Sequence, residues 1–178
     1  LSNVVARARG GSHALALKSD GTVVAWGDNS FGQCTIPAGL TNVIAIAGSD
    51  HASVALKSDG TVVAWGRTDT GECNVPADLS GVVAVAAGGG GAVALKSDGT
   101  VVGWGYWAGV PEGLSNAVAV AAGKNHRVAL KADGTVVAWG GETTFAYPNG
   151  AMINLVPWNV SDVVAIAAGN DRTYIIKA

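Results

Sequence analysis

A hydrolytic reading of this 178-residue chain would rest on loop carboxylates such as Asp28, Asp69, Glu72 and Glu142. Sugar cleavage needs two such groups facing one cleft. The three histidines are His13, His51 and His126. His13 and His126 each stand five residues before a repeated lysine, and His51 stands one place earlier in its own repeat. Such scatter does not build a zinc site, and no Ser/His/Asp set can be assembled from it. Cys34 and Cys73 occupy equivalent positions in neighbouring repeats, too far apart for a disulfide, so both are expected to be free, half-buried thiols. Gly88 to Gly91 is a run of four glycines without the Lys-Ser/Thr and helix of a phosphate loop. No catalytic residue, cofactor or metal is expected.

Composition narrows the partners. Net charge is −2 and only 13% of residues are charged, so nothing favours nucleic acid or an anionic membrane. The longest uncharged stretch contains the four-glycine run and would make a poor membrane helix, so no membrane insertion is expected. Glycine contributes 26 residues and apolar types 49%, yet aromatics only 6%, which excludes coiled coils and disordered tails.

The elements that must position these residues follow from an internal repeat. Lys-Ser-Asp-Gly-Thr-Val-Val-Ala-Trp-Gly runs from Lys18 to Gly27 and recurs unchanged from Lys57 to Gly66. It returns with one substitution each at Lys96 to Gly105 and Lys131 to Gly140, and Lys177 marks a fifth copy. A Val-Val-Ala-Ile-Ala-Ala-Gly string precedes each lysine. The Asp-Gly pairs supply the positive φ of tight hairpin turns, and β-branched residues with tryptophan flank them. Each unit reads as an apolar strand, a second strand, a third across the Asp-Gly turn, and a short fourth segment ending at a proline. Four short antiparallel strands per unit of about 40 residues predict a β-propeller blade. The chain is therefore read as all-β, one propeller domain with units over 1–40, 41–79, 80–114 and 115–160 and a half blade over 161–178. The tryptophans Trp26, Trp65, Trp104 and Trp139 are expected to pack between blades, and the turn aspartates and repeat lysines to serve turns and solvated strand ends.

The Ala-Leu-Lys/Asp-Gly/Val-Val-Ala-Trp-Gly hairpin, the Phe31-Gly32-Gln33 … Pro37 segment and the Val-Ala-Ile-Ala-Ala-Gly strand resemble the repeats of the regulator of chromosome condensation superfamily. The likeness is greatest to its short-repeat bacterial branch, which includes secreted β-lactamase inhibitors. This resemblance implies four and a half blades of an incomplete seven-bladed ring. It also implies a non-enzymatic protein-interaction scaffold from a bacterial exported or surface protein. The alternatives are an inhibitor of β-lactamase type and a carbohydrate-binding or sugar-active propeller. Guanine-nucleotide exchange, known in the wider superfamily, fits poorly because these repeats are shorter.

Partner contacts are expected on the loops. The turn before each second strand holds Ser12, His51, Gly90, Asn125 and Asp171, followed by Arg172. The resemblance would place aromatic anchors at these positions, and none is present. Aromatic residues that break the repeat are Tyr106, Trp107, Phe145, Tyr147 and Trp158. Arg7 and Arg9 replace apolar or small residues of the other copies and alternate with Val5 on one face of the first strand. Unpaired buried arginines would be costly, so this face is expected at the edge of the ring, where absent blades or another copy complete it.

Overall fold

The computed structural model describes residues 2–106, 108–141 and 160–178. Every regular element there is a strand. The first sheet joins β1 (Val4–Arg9), β2 (His13–Lys18) and β3 (Val23–Gly27). The second joins β4 (Val43–Gly48), β5 (Ala52–Lys57) and β6 (Val62–Gly66). The third joins β7 (Val82–Gly88), β8 (Gly91–Lys96) and β9 (Val101–Gly105). The fourth joins β10 (Ala117–Ala122), β11 (Arg127–Lys131) and β12 (Val136–Trp139), and the last pairs β13 (Val163–Ala168) with β14 (Thr173–Lys177). All pairings are antiparallel.

The Asp-Gly turns form as read. Gly21, Gly60, Gly99 and Gly134 take φ of 77, 79, 80 and 78°. Asp20 Oδ1 accepts from the Thr22 amide at 3.0 Å, and the other three turns repeat the bond. The lysines are more than solvated strand ends. Lys57, Lys96 and Lys131 reach the turn aspartate two residues on at 3.0, 3.1 and 3.1 Å.

The expected fourth strand is not formed. Among the described residues four sheets have three strands and the last has two, and 28–42 is a loop held by side-chain caps rather than a ladder. Asn29 Oδ1 accepts from the Cys34 amide at 2.8 Å, and Gln33 Oε1 accepts from the Phe31 amide at 2.9 Å. These bonds satisfy the backbone locally, and Pro37 has no amide to offer a neighbour.

The first strands of successive sheets lie against one another, β1 on β4, β4 on β7, β7 on β10 and β10 on β13. The third strands meet far less, so each sheet is a wedge with its first strand at the axis. Three apolar clusters fill the spaces between sheets. Leu15, Leu17 and Val23 of the first sheet meet Ala55 and Trp65 of the second, and the next two interfaces repeat the arrangement. Trp65, Trp104 and Trp139 do pack between blades, whereas Trp26 is exposed. Trp65 Nε1 donates to Gln33 O of the preceding unit at 2.9 Å, and Trp104 Nε1 donates to Glu72 O at 3.0 Å. Each first strand carries a bulge near its start. The bulged Val5, Ile44, Val83, Val118 and Val164 turn out of the ladder and are exposed.

Candidate functional site

The turns between first and second strands converge at one end of the axis, around a cavity of about 410 Å³. All five units contribute to its wall, including Arg9, Asp50, Gly89, Lys124 and Asn170. Backbone bonds join the turns across blades: Gly11 N to Ser49 O (3.2 Å), Asp50 N to Gly89 O (2.8 Å) and Lys124 N to Asn170 O (2.9 Å). This explains the glycine run without phosphate chemistry. A Cβ on Gly89 would stand 1.9 Å from Lys124 O, so the blades can approach here only over glycine.

The candidate contact residues that the structure describes each have a place. Ser12 and Arg172 are exposed at the rim. Asn125 Nδ2 donates to Asp171 Oδ1 at 2.7 Å, which joins the turns of the last two blades. The His51 ring lies 4.9 Å from that of Phe31. Tyr106 is exposed beside the third turn. Arg7 and Arg9 are exposed on β1, and Arg9 reaches the cavity wall. Trp107, Phe145, Tyr147 and Trp158 lie outside the described residues, as does Glu142.

The remaining carboxylates are tied to their own loops. Asp28 accepts from Ser30 and from Gln33 Nε2, and the Ser30 hydroxyl bond leads in holding its pKa down. Asp69 is paired with Arg67, whose hydrogen bond lowers its pKa. Glu72 is buried, and burial raises its pKa. No group of three or more metal-ligating side chains occurs among the described residues. Both cysteines are free and donate to backbone carbonyls of their own loops; burial pushes the Cys73 thiol up to about 11.

Two residues of this face escaped the sequence reading. Phe31 was absorbed into the repeat signature, yet it is 44% exposed and the second unit has Thr70 at its place. That mismatch was the available signal. The Arg67 guanidinium lies 5.1 Å from the Phe31 ring centroid. Phe31, His51 and Arg67 thus form a ridge across the first two blades, of the aromatic and arginine types that dominate protein contacts.

Wedge-shaped antiparallel sheets around an axis, with loops gathered at one end, define a propeller-type repeat array. The regulator of chromosome condensation (RCC1) repeat matches residues 4–33 and 117–143. The chain is built of RCC1-like β-propeller repeats. Similar solved structures include Prp20p from Saccharomyces cerevisiae, at 22% identity and a TM-score of 0.74 over 94% of this chain and 54% of that one. Human WBSCR16 gives 22% identity and 0.76 over 98% and 58%. The ectodomain of the Physcomitrella patens receptor kinase CR4 gives 22% and 0.71 over 94% and 45%. The chain therefore spans about half the length of these structures. No curated protein matches it.

Proposed function

We propose that this chain is a non-enzymatic protein-interaction scaffold that presents its turn face to a protein partner. The Phe31–His51–Arg67 ridge beside the axial cavity carries this reading. Turns cross-linked by backbone bonds are ordered before binding, so little conformational entropy is lost on association. Similar propellers support the reading: Prp20p has binding properties toward Gsp1p and histones, and Kap60 is seen bound to it. The test is quantitative capture of a partner by the wild-type chain and by Phe31→Ala/Arg67→Ala and Asn125→Ala/Asp171→Ala variants. Loss of at least tenfold in affinity supports the reading, and full retention by both double variants removes it.

Inhibition of a secreted enzyme of β-lactamase type is the narrower alternative, and a panel of those enzymes tests it directly. A sugar-active role has little support, because Asp28 and Asp69 are already engaged within their loops. An exported or cell-surface location is likewise proposed. One similar structure is a receptor ectodomain, and fractionation of the source cells is the check. The open face of the first sheet fits a further blade. Trp26 is 45% exposed there, whereas Trp65, Trp104 and Trp139 are 7%, 3% and 7% exposed beneath their neighbours.

A further inference from the structure

Two interior interfaces each seat a loop of the preceding blade beside a tryptophan. Between the first two blades the seat holds Gln33, which is fully buried. Its carbonyl accepts from Trp65 Nε1 at 2.9 Å and from Ser53 Oγ at 2.8 Å. Between the second and third blades the seat holds Glu72, whose carbonyl accepts from Trp104 Nε1 at 3.0 Å. Each loop lies close over the glycine that follows its tryptophan. A Cβ on Gly66 would stand 3.3 Å from Gln33 Cβ, and one on Gly105 would stand 3.3 Å from Glu72 Cα.

Trp26 and Gly27 are the same pair in the first blade, and no described loop lies over them. They line a cavity of about 320 Å³ together with Arg9, Ser12 and His13. This cavity is the first blade's seat, open on the face that exposes Trp26. Its wall differs from the other seats in charge. Where the second and third blades have Gly48 and Ala87, the first has Arg9; where they have His51 and Gly90, it has Ser12. A Cβ on Gly90 would stand 3.7 Å from Glu72 Oε1, so a glutamate seated the same way on the first blade reaches the place of Ser12. Arg7 and Arg9 pair with no carboxylate among the described residues.

We propose that the Trp26 seat receives the Gly-Glu turn of a further RCC1-type repeat unit. Its glutamate carboxylate accepts from the Arg9 guanidinium and the Ser12 hydroxyl, and its main-chain carbonyl accepts from the Trp26 indole N–H. Continuity with the two occupied seats fixes the place of the loop, and the wall chooses between the two residues this chain uses there. Glutamine serves the indole equally, because that bond goes to the main chain. It would bury the guanidinium without a counter-charge, which is costly. A second copy of the chain does not meet this requirement, since the exposed Tyr174 and Ile176 of the last sheet offer no carboxylate.

The inference rests on the open face accepting a blade and is independent of the turn-face reading. Residues 40–78 placed directly ahead of Leu1 continue the repeat in register, because Leu1-Ser2-Asn3-Val4 matches Leu79-Ser80-Gly81-Val82. This fusion brings a copy of Glu72 to the seat. Hydrogen exchange of the Trp26 indole N–H and urea unfolding are followed in the fusion, with Arg9→Gln and with Glu72→Gln in the added copy, singly and together. Fusion should slow the indole exchange by about tenfold or more. Each single variant should lower the folding constant by about tenfold, and the double variant should lose no more than one of them. Indole exchange unchanged by the fusion refutes the seating of any blade. Slowed exchange with variants that unfold like the parent fusion, or whose losses add, refutes the carboxylate alone. Exchange in the unfused chain that slows as its concentration rises shows a second copy on this face and overturns the proposal.

Discussion

A single residue ahead of each first strand sets how the blade begins. Asn3, Asn42, Asn116 and Asp162 take φ of 61, 58, 56 and 59°, and Gly81 takes 68° at the same place in the third unit. Their carbonyls accept from the residue after each repeat lysine, at 2.9 Å for Ser19 to Asn3 and Ser58 to Asn42. A left-handed conformation costs an ordinary L-residue about 1–2 kcal/mol, and Asn and Asp tolerate it best after glycine. Asn42→Gly should therefore unfold in urea within about 0.5 kcal/mol of the parent, while Asn42→Val should lose about 1–2 kcal/mol. Equal stability of the two variants would remove the backbone explanation. Arg127 makes a second argument at this scale. It is fully buried without a carboxylate and gives its guanidinium to the carbonyls of Gly123 (3.0 Å), His126 (3.0 Å) and Gly88 (2.8 Å). Burial draws its pKa down to about 10. Room for it comes from Gly91 across the interface, where a Cβ would stand 3.2 Å from Nη2. Arg127→Ala should cost about 2–4 kcal/mol, through unpaired carbonyls and a cavity between the third and fourth blades. A loss under 0.5 kcal/mol in denaturant unfolding would show that the guanidinium is not a structural bridge.

Between elements, His13 and His126 act as neutral cross-links. Ser53 Oγ gives its proton to Gln33 O at 2.8 Å, so the 3.0 Å contact with His13 requires His13 Nε2 to be the donor. His13 Nδ1 is then a buried acceptor with no hydrogen-bond partner among the described residues. His126 repeats the contact with Thr173 at 3.0 Å, between the fourth and fifth blades. Burial lowers the pKa of both. The unfolded chain takes up protons below its ordinary value of 6.5 while the folded chain resists them. Stability is therefore fully present above pH 6.5 and falls as pH drops below it. Glu72 has the opposite sign, since its raised pKa favours the protonated form in the fold, so the slope is best read in a Glu72→Gln background. There, urea midpoints should fall from pH 6.5 toward pH 5, by at most about 1.4 kcal/mol per pH unit for each proton taken up. His13→Gln/His126→Gln should flatten that slope, and an unaltered slope would remove the cross-link account. The turn aspartates act lower, since Asp98 and Asp133 are held at about 2 by their threonine bonds. These hairpins were legible in the sequence because every participant lies within five residues. The His13–Ser53 and Arg127–Gly88 contacts were not, because they join positions 40 and 39 residues apart whose partners differ from blade to blade. The fourth strand was misread for a local reason: Asp28, Asn29 and Gln33 cap the loop with side chains that resemble any polar connection in sequence.

At the scale of the whole molecule, stability is shared among interfaces, because each sheet buries its faces only against its neighbours. Repetition made this architecture readable, and the departures from repetition were harder to place: Phe31 over a threonine position, Gly90 over polar ones, Arg127 where the second-strand residue is otherwise small. Trp26 and Trp65 test the interface logic with one residue type. Trp65 is 7% exposed, packs among Leu15, Leu17 and Ala55, and donates its indole N–H to Gln33 O. Trp65→Phe removes that donor, leaves Gln33 O with only the Ser53 hydroxyl, and opens space in the cluster, so a loss of about 2–3 kcal/mol is expected. Trp26 occupies the same register on β3 but is 45% exposed, so Trp26→Phe should change stability by under about 0.5 kcal/mol. Paired urea titrations of the two variants provide the measurement. If Trp26→Phe costs as much as Trp65→Phe, the face bearing Trp26 is already covered in solution. If the cost appears only when further RCC1-type blades are supplied, on the same polypeptide or in trans, then the indole of Trp26 marks where they dock.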